Sequence, residues 1–533
     1  MTAPVVMVQG TASSVGKSVV TAGLCRILRR RGLRVAPFKA QNMSLNAAVT
    51  LDGGEIARST AVQAAAAGVG PTVDMNPILL KPEADARSQV IVRGKAWGTL
   101  RARDYFQRKL DFWPVVTEAL DRLRDTYDVV VAEGAGSPAE VNLRDRDIVN
   151  MRVALHAEAA VVLVGDIDRG GVFAQLIGTL DLLPPEERRL VQGLIVNRFR
   201  GDRTLFVDGV RFLEERTALP VFGIIPDVRD LALAEEDAAT LDRRGLAGPS
   251  EESGALLRIA VIRFPRIANF DDFGPLERHT GVRVSYVDRP EQLADADLVI
   301  LPGSKSTIAD LAFMRERGLA GAIVAAHRRG VPIIGICGGY QILGRFIDDP
   351  DRIESPTGGA PGLGLLPHHT VFTREKQTSR VRARVTSTTG PLAAIRGVEI
   401  AGYEIHAGRS SSETVGTTAP LCLIARGDLA IDEPEGIVSK DGLLFGTYLH
   451  GLFDNPAIQQ SLIAWLGARV WKDRDQGQHR QDPSAPSFAS PADDVHVPTS
   501  DPYDRWADTL EASLDLPLLL ARCGLTDRWR WLR

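Results

Sequence analysis

The sequence predicts two consecutive α/β domains, each built around a largely parallel sheet. Three observations carry that expectation. The chain has 533 residues, more than one hydrophobic core organises. Short apolar runs, as expected of buried parallel strands, alternate with helix-periodic stretches in two separate blocks. Between the blocks, Gly245 to Gly254 breaks the composition with glycine, proline, serine and glutamate, and reads as a linker. The expected layout is a first domain over 1–244, a linker over 245–256 and a second domain over 257–471. Residues 472–500, rich in Asp, Gln, Ser and Pro, read as a disordered insert, and 501–533 as a C-terminal helical segment.

Composition narrows the function. Hydrophobic residues make up 44% of the chain and charged residues 24%, both ordinary for globular proteins. A net charge of -4 argues against a nucleic-acid or anionic-membrane partner. Cys25, Cys337, Cys422 and Cys523 have no CxxC spacing, which argues against a disulfide framework or a zinc site. The N-terminus has no basic leader, and no apolar stretch approaches about 20 residues. A soluble, cytoplasmic protein is expected, with its oligomeric state left open.

The first domain opens on Val5-Val6-Met7-Val8, a short buried strand. It runs into Gln9-Gly10-Thr11-Ala12-Ser13-Ser14-Val15-Gly16-Lys17-Ser18 and then a helix carrying Val19, Leu24, Ile27 and Leu28. Strand, glycine loop, Gly-Lys-Ser and helix form a phosphate-binding loop. Its backbone N–H groups and helix dipole suit phosphate oxygens, with Thr11, Ser14, Val15, Gly16, Lys17 and Ser18 around the nucleotide. Lys17 would reach the outer phosphates, and the Ser18 hydroxyl would bind Mg²⁺. Thr11 stands where the first glycine of such loops usually stands.

Further strands of this domain end in polar groups. Val129 to Ala132 ends in Glu133, the expected magnesium ligand. Gly193 to Val196 ends in Asn197. Val35 to Phe38 ends near Lys39, Gln41 and Asn42, and Ala160 to Gly165 in Asp166, Asp168 and Arg169. Ligands of open α/β sheets bind beyond the strand carboxyl ends, so these residues are candidates for holding the substrate. Lys39 suits a phosphate or an acidic substrate. Asp166 and Asp168 suit a metal, an amine or an amide, and a capping role is equally open for each. Lys81 and Glu83 are further candidates for the substrate site.

The second domain is centred on Gly335-Ile336-Cys337-Gly338-Gly339-Tyr340-Gln341, between an apolar strand and a helix. A cysteine there has the form of a nucleophile elbow. The helix N-terminus favours the thiolate and offers backbone N–H groups to an oxyanion. The preceding strand, Asp297 to Leu301, ends in Pro302-Gly303-Ser304, so the amides of Gly303 and Gly338 are the expected oxyanion hole. A thiol nucleophile needs a base. His450, at the end of the apolar strand before Gly451, has the best context. His406 is second choice, as a substrate-binding residue.

The phosphate loop resembles that of the dethiobiotin-synthetase-like branch of P-loop proteins, which activate carboxylates by phosphorylation. The resemblance implies ATP and Mg²⁺, with Asn197 as the adenine-reading residue. The Pro-Gly-Ser loop, the elbow and Leu449-His450-Gly451 resemble the class I glutamine amidotransferases of cobalamin biosynthesis, and imply a flavodoxin-like second domain using Cys337 and His450. The resemblance runs from Met7 to about Trp471 and from Pro502 to Gly524. Gln9-Gly10-Thr11, Pro37 to Ser44 and Gly165 to Gly171 place it on the cobyric-acid-forming side of that family. The family's usual His-x-Glu is absent, because Leu452 stands two residues after His450, so another group must orient the imidazole.

The resemblance implies a glutamine-dependent, ATP-driven amidoligase. Its acceptor would be adenosylcobyrinic acid a,c-diamide, amidated at the b, d, e and g carboxylates. Ammonia must reach the acceptor without becoming ammonium, so connected, shielded sites are expected. Two alternatives stand at this point: amidation of another carboxylate, such as the a,c groups, and a nucleotide switch carrying a degenerate amidotransferase domain. In the C-terminal segment Trp506, Leu510 and Leu514 recur at helical spacing, and Pro517 starts a second short helix. Both apolar sides are expected to dock on the amidotransferase domain.

Overall fold

A computed structural model describes residues 2–84, 86–228, 257–355, 357–412, 417–477 and 501–526. The expected linker and residues 478–500 of the expected insert lie outside them. The described residues fall into two compact units. One holds 2–44, 50–228 and 501–526; the other holds 45–49 and 257–477.

The first unit is organised by a six-stranded parallel sheet. Its strands are β1 (Val5–Gly10), β2 (Val35–Phe38), β3 (Val129–Glu133), β4 (Ala160–Asp166), β5 (Val191–Phe199) and β6 (Val221–Pro226). They lie in the order β6-β5-β4-β1-β3-β2. Valine and isoleucine dominate them because both faces are covered: Val8, Val131, Val162 and Ile195 are buried on one face, and Met7, Val130, Leu163 and Leu194 on the other. Every strand runs the same way, so the loops leaving β1, β3, β4 and β5 share one edge of the sheet. Helix α1 (Lys17–Arg30) follows the phosphate loop and packs on the first of those faces. A second, four-stranded sheet is built from Gln41–Met43, Ile78–Ala84, Arg87–Val92 and Lys95–Arg101. Apolar pairs across Ile78–Val92 and Leu80–Val90 hold its central hairpin together.

The second unit contains β7 (Leu257–Ile262), β8 (Ile267–Ala268), β9 (Val282–Val287), β10 (Leu298–Leu301), β11 (Gly303–Ser304), β12 (Ile333–Ile336), β13 (Ile437–Ser439) and β14 (Leu444–Thr447). The main sheet runs β9-β7-β10-β12-β14-β13 and ends on Thr417–Thr418. Its first five strands are parallel, and β13 is antiparallel to β14. The loops after β10, β12 and β14 are therefore neighbours on one edge. Helix α2 (Gly338–Leu343) leaves β12, and α3 (Pro456–Gly477) closes the unit. Residues 472–477, assigned to the insert by composition, continue α3.

The C-terminal helices correct an expectation. Helix α4 (Pro502–Ser513) and helix α5 (Leu516–Arg522) pack in the first unit, where the expectation had placed them on the second domain. Trp506, Leu510, Leu514, Leu519 and Leu520 join the α1 side of that core. Gly23 makes the approach possible, since a Cβ there would stand 2.2 Å from Leu510 Cδ1. Trp506 Nε1 donates to the Val19 carbonyl at 2.6 Å. Arg26 and Arg30 of α1 meet Asp504 and Asp508 of α4, each pair one helical turn apart. Apolar spacing shows that a helix has a buried face but not which partner buries it.

Candidate functional site

In the first unit, β1 turns into the phosphate loop as expected. Ser14 and Gly16 take positive φ (58° and 102°), and Lys17 begins the helix. Gly16 cannot be replaced without displacing Asn197, whose Nδ2 would lie 2.1 Å from an added Cβ. Thr11 N donates to the Val164 carbonyl (3.0 Å), which ties the loop to β4. Lys17 Nζ donates to the Ala12 and Gly136 carbonyls at 2.8 and 3.0 Å. Its ammonium thus rests across the mouth of the loop on neutral acceptors. Asn197 Nδ2 donates to the Val15 carbonyl at 2.8 Å, so this side chain braces the loop.

Glu133 gathers several of the predicted residues. Its buried carboxylate accepts from Ser18 Oγ (2.7 Å), Lys39 Nζ (2.9 Å) and Gln63 Nε2 (2.5 Å). Gln63 was missed; its signal was a lone amide in the alanine-rich run Ala61 to Ala67. Lys39 meets Glu133, as a buried ion pair. Gln41 accepts from the Tyr105 hydroxyl (2.5 Å), and Asn42 donates to Ser59 Oγ (3.2 Å). Asp166 is held by Arg198 at 2.8 Å and Arg169 at 3.8 Å, and it accepts the Asp168 N–H. Asp168 faces Arg200 at 3.4 Å. These partners favour the bracing role left open for the two aspartates. Lys81 forms a buried pair with Glu55 (2.5 Å), and Glu83 accepts from Thr99 (3.2 Å).

In the second unit, Cys337 stands at the N-terminus of α2 with φ 51° and ψ -108°. Such a conformation costs about 1–3 kcal/mol and persists only where surroundings hold it. Here Cys337 N donates to the Thr447 carbonyl (2.8 Å), and Gly339 lets the helix close onto β10. A Cβ at Gly339 would lie 1.9 Å from the Leu301 carbonyl oxygen. Cys337 interacts electrostatically with His450, which follows the neighbouring strand β14. Backbone bonds in both directions with Tyr403 fix His450, and the Tyr403 ring stacks on the imidazole.

The third member of this constellation is Asp272. Its Oδ2 lies 2.7 Å from His450 Nδ1, and its Oδ1 accepts the Gly451 N–H at 2.9 Å. It comes from the turn after β8, about 180 residues before the histidine, so no spacing rule points to it. Burial alone would lower the His450 pKa. The Asp272 carboxylate and then Cys337 outweigh burial and raise it to about 10. At neutral pH His450 is therefore an imidazolium held between the Asp272 carboxylate and Cys337.

The loop after β10, expected to supply oxyanion donors, is close to the elbow. Ala268 pairs with Gly303, and Lys305 N donates to the Arg266 carbonyl. Hydrogen-bonded pairs alternate along an antiparallel ladder, which turns the Gly303 N–H toward Ala268 and the Ser304 N–H outward. The Ser304 nitrogen would lie 2.8 Å from a Cβ on Gly338. Ser304 Oγ donates to the buried carboxyl of Asp310 at 2.5 Å; burial pushes that carboxyl up to about 7. His406 stacks on Tyr448 and bonds to the Gly408 carbonyl. With Tyr340, Glu404, Arg426 and Tyr448 it lines a cavity of about 900 Å³.

Known proteins match both units. The CobQ/CobB/MinD/ParA nucleotide binding domain matches residues 6–241, and the CobB/CobQ-like glutamine amidotransferase domain matches 258–458. A cobyric acid synthase of Chloroflexus aggregans is 57% identical over 468 residues, covering 88% of this chain and 92% of the relative. One of Sorangium cellulosum is 51% identical over 541 residues, covering 99% and 100%. The chain belongs to the cobyric acid synthase family. A third member, from Chloroflexus aurantiacus, is 53% identical over 522 residues, covering 98% and 99%. With that family the chain is a glutamine-hydrolysing amidoligase of cobalamin biosynthesis, and the two-domain α/β expectation holds. Among the described residues no helix is long and apolar enough to cross a membrane.

Proposed function

We propose that the second unit releases ammonia from glutamine and that the first uses ATP to join it to carboxylates of adenosylcobyrinic acid a,c-diamide. The observation that carries this reading is one chain holding both a Cys337–His450–Asp272 constellation and a phosphate loop beside Glu133.

Cys337 sulfur attacks the glutamine carboxamide carbon. The oxyanion that forms takes N–H bonds from Gly338 and from Ser304, the neighbour of the expected Gly303. Imidazolium His450 protonates the departing nitrogen, and ammonia leaves a thioester on Cys337. His450, now neutral, removes a proton from water, whose oxygen attacks the thioester carbon and releases glutamate. The His406 cavity suits the amino-acid end of glutamine, since Glu404 and Arg426 offer partners for an ammonium and a carboxylate.

In the first unit an acceptor carboxylate oxygen attacks the γ-phosphorus of ATP, and ADP departs. The acyl phosphate carries the leaving group that a free carboxylate lacks. Ammonia attacks its carbonyl carbon, phosphate leaves, and an amide forms after loss of a proton. Thr11, Ser14, Val15, Gly16 and Lys17 bind the phosphates, with Lys17 moving from its two carbonyls to the outer oxygens. Asn197 keeps the loop in shape. Ser18 and Glu133 offer a hydroxyl and a buried carboxylate side by side, a hard-oxygen donor pair that fits Mg²⁺. Bound there, Mg²⁺ would neutralise phosphate charge. Lys39 and Gln63 keep Glu133 oriented.

Incubation with glutamine, MgATP and the a,c-diamide, followed by mass spectrometry, tests the reading. Four added amides are expected at b, d, e and g. A product amidated elsewhere, or none, overturns the acceptor assignment.

A further inference from the structure

Residues 45–49 belong to the second unit, although the chain on either side of them belongs to the first. Two reciprocal bonds hold this short stretch. Asn269 Oδ1 accepts the Ala47 N–H at 2.9 Å, and Asn46 Oδ1 accepts the Phe270 N–H at 3.3 Å. Asn46 is 1% exposed and Asn269 3%, so these amides are deeply buried. Asn269 takes the left-handed conformation, with φ 54°, which asparagine tolerates better than most residues.

What lies on either side of the clasp gives it meaning. Before it, Ile267 and Ala268 pair with Ser304 and Gly303, the oxyanion loop. After it, Asp272 binds His450 and Gly451. Residues 267–272 thus touch both halves of the glutaminase centre, and the two asparagine bonds fix that stretch at its middle. Asn46 and Asn269 touch neither the thiol nor the imidazole through any of these bonds.

We propose that Asn46 and Asn269 are positioning residues for ammonia release. They set the turn that aims Asp272 at His450 and hold the loop presenting the Ser304 amide. The glutaminase centre of this chain then depends on a residue that follows the Gln41–Met43 strand by three positions. The inference rests on the Cys337–His450 reading of the site.

The test uses the full chain with three variants: Asn46→Leu, which keeps volume but not the acceptor; Asn269→Gly, which keeps the positive φ but loses Oδ1; and the double variant. Glutamine-driven and ammonia-driven amidation are measured side by side with MgATP and the diamide. Each single variant is expected to lower the glutamine-driven kcat by about tenfold to a hundredfold, the scale of a small misplacement of reacting groups. KM for glutamine should stay within about twofold, because the clasp serves the reaction and not the binding of substrate. The ammonia-driven rate should be unchanged, and the double variant should be little worse than the worse single variant, since both bonds serve one turn. Unchanged glutamine-driven kcat in both single variants overturns the proposal. Parallel loss of the ammonia-driven rate also overturns it, assigning the clasp to the fold at large. If Cys337→Ala keeps its glutamine-driven rate, the underlying Cys–His reading fails instead.

Discussion

The phosphate loop and the cysteine elbow both sit where a parallel strand turns into a helix, but they are completed differently. Around the loop, the partners come from the ends of neighbouring strands and the start of one helix: Lys17 and Ser18 from α1, Glu133 from β3, Asn197 from β5. Around the elbow, a strained cysteine is completed by a histidine 113 positions later and an aspartate 65 positions earlier, each delivered by its own loop. In the first centre Lys17 rests on two backbone carbonyls and Glu133 gathers Ser18, Lys39 and Gln63. The second stores backbone strain and a buried ion pair. The loop is thus a local device that a short motif specifies. The elbow is only half of a device until topology brings the other half to it.

That difference predicts a clean division under mutation. Cys337→Ala should abolish glutamine-driven amidation and leave the ammonia-driven reaction intact; loss of both, measured by product mass, would mean that the two centres are not separable. Lys17→Ala should abolish amidation from either nitrogen source, by about a hundredfold or more, since it removes the charge facing the transferred phosphoryl group. An ammonia-driven reaction that survives Lys17→Ala would remove ATP from the scheme.

Asp272→Asn sharpens the same contrast. It should lower glutamine hydrolysis by about a hundredfold or more, because the amide neither charges the imidazole nor fixes its tautomer as a carboxylate does. It should not affect the ammonia-driven rate. The pH dependence gives a second reading. His450 has its pKa raised from 6.5 to about 10, so the protonated acid persists through neutral pH and is lost as pH rises toward about 10. In Asp272→Asn the alkaline fall in glutaminase rate should move to lower pH. The stability sign agrees: the pair stabilises the fold fully below about pH 6.5, and this contribution fades as pH climbs through about 10. A variant with an unshifted alkaline limb would remove Asp272 from the constellation.

Legibility in the sequence follows the same division. The fold class, the loop and the placing of Cys337 and His450 at strand ends were readable because each is a local pattern: an apolar strand, a glycine turn and a chemical residue at its end. Glu133 beside Ser18 followed from the rule that strand carboxyl ends share a crevice. Asp272 and Gln63 were not readable, because a turn aspartate and a helical glutamine look like solvated or capping groups until tertiary contacts place them. The proposed oxyanion donor lies one residue beyond the expected Gly303, because pairing parity in β8–β11 turns the Gly303 N–H toward Ala268. For Asp166 and Asp168 the sequence left a ligand role and a structural role open, and the ion pairs with Arg198 and Arg200 favour the second.

The C-terminal helices mark where local reading failed most, and they allow the smaller tests. Trp506 is 3% exposed, donates to the Val19 carbonyl one residue after Ser18, and packs on Gly23. Trp506→Ala should cost about 3–5 kcal/mol, the range for truncating a buried aromatic. The loss should fall on the first unit, lowering the temperature at which ATP-dependent amidation fails while glutamine hydrolysis holds. Equal loss of both activities on heating would mean that these helices brace more than α1. Asp508→Ala removes only an exposed partner of Arg30, whose carboxylate is 61% accessible. Its effect on the same thermal transition should stay within about 1 kcal/mol, because solvent screens such a pair and ordering two long side chains offsets most of the attraction. A large effect from Asp508→Ala beside a small one from Trp506→Ala would mean that charge, not the apolar stripe, docks α4 on α1.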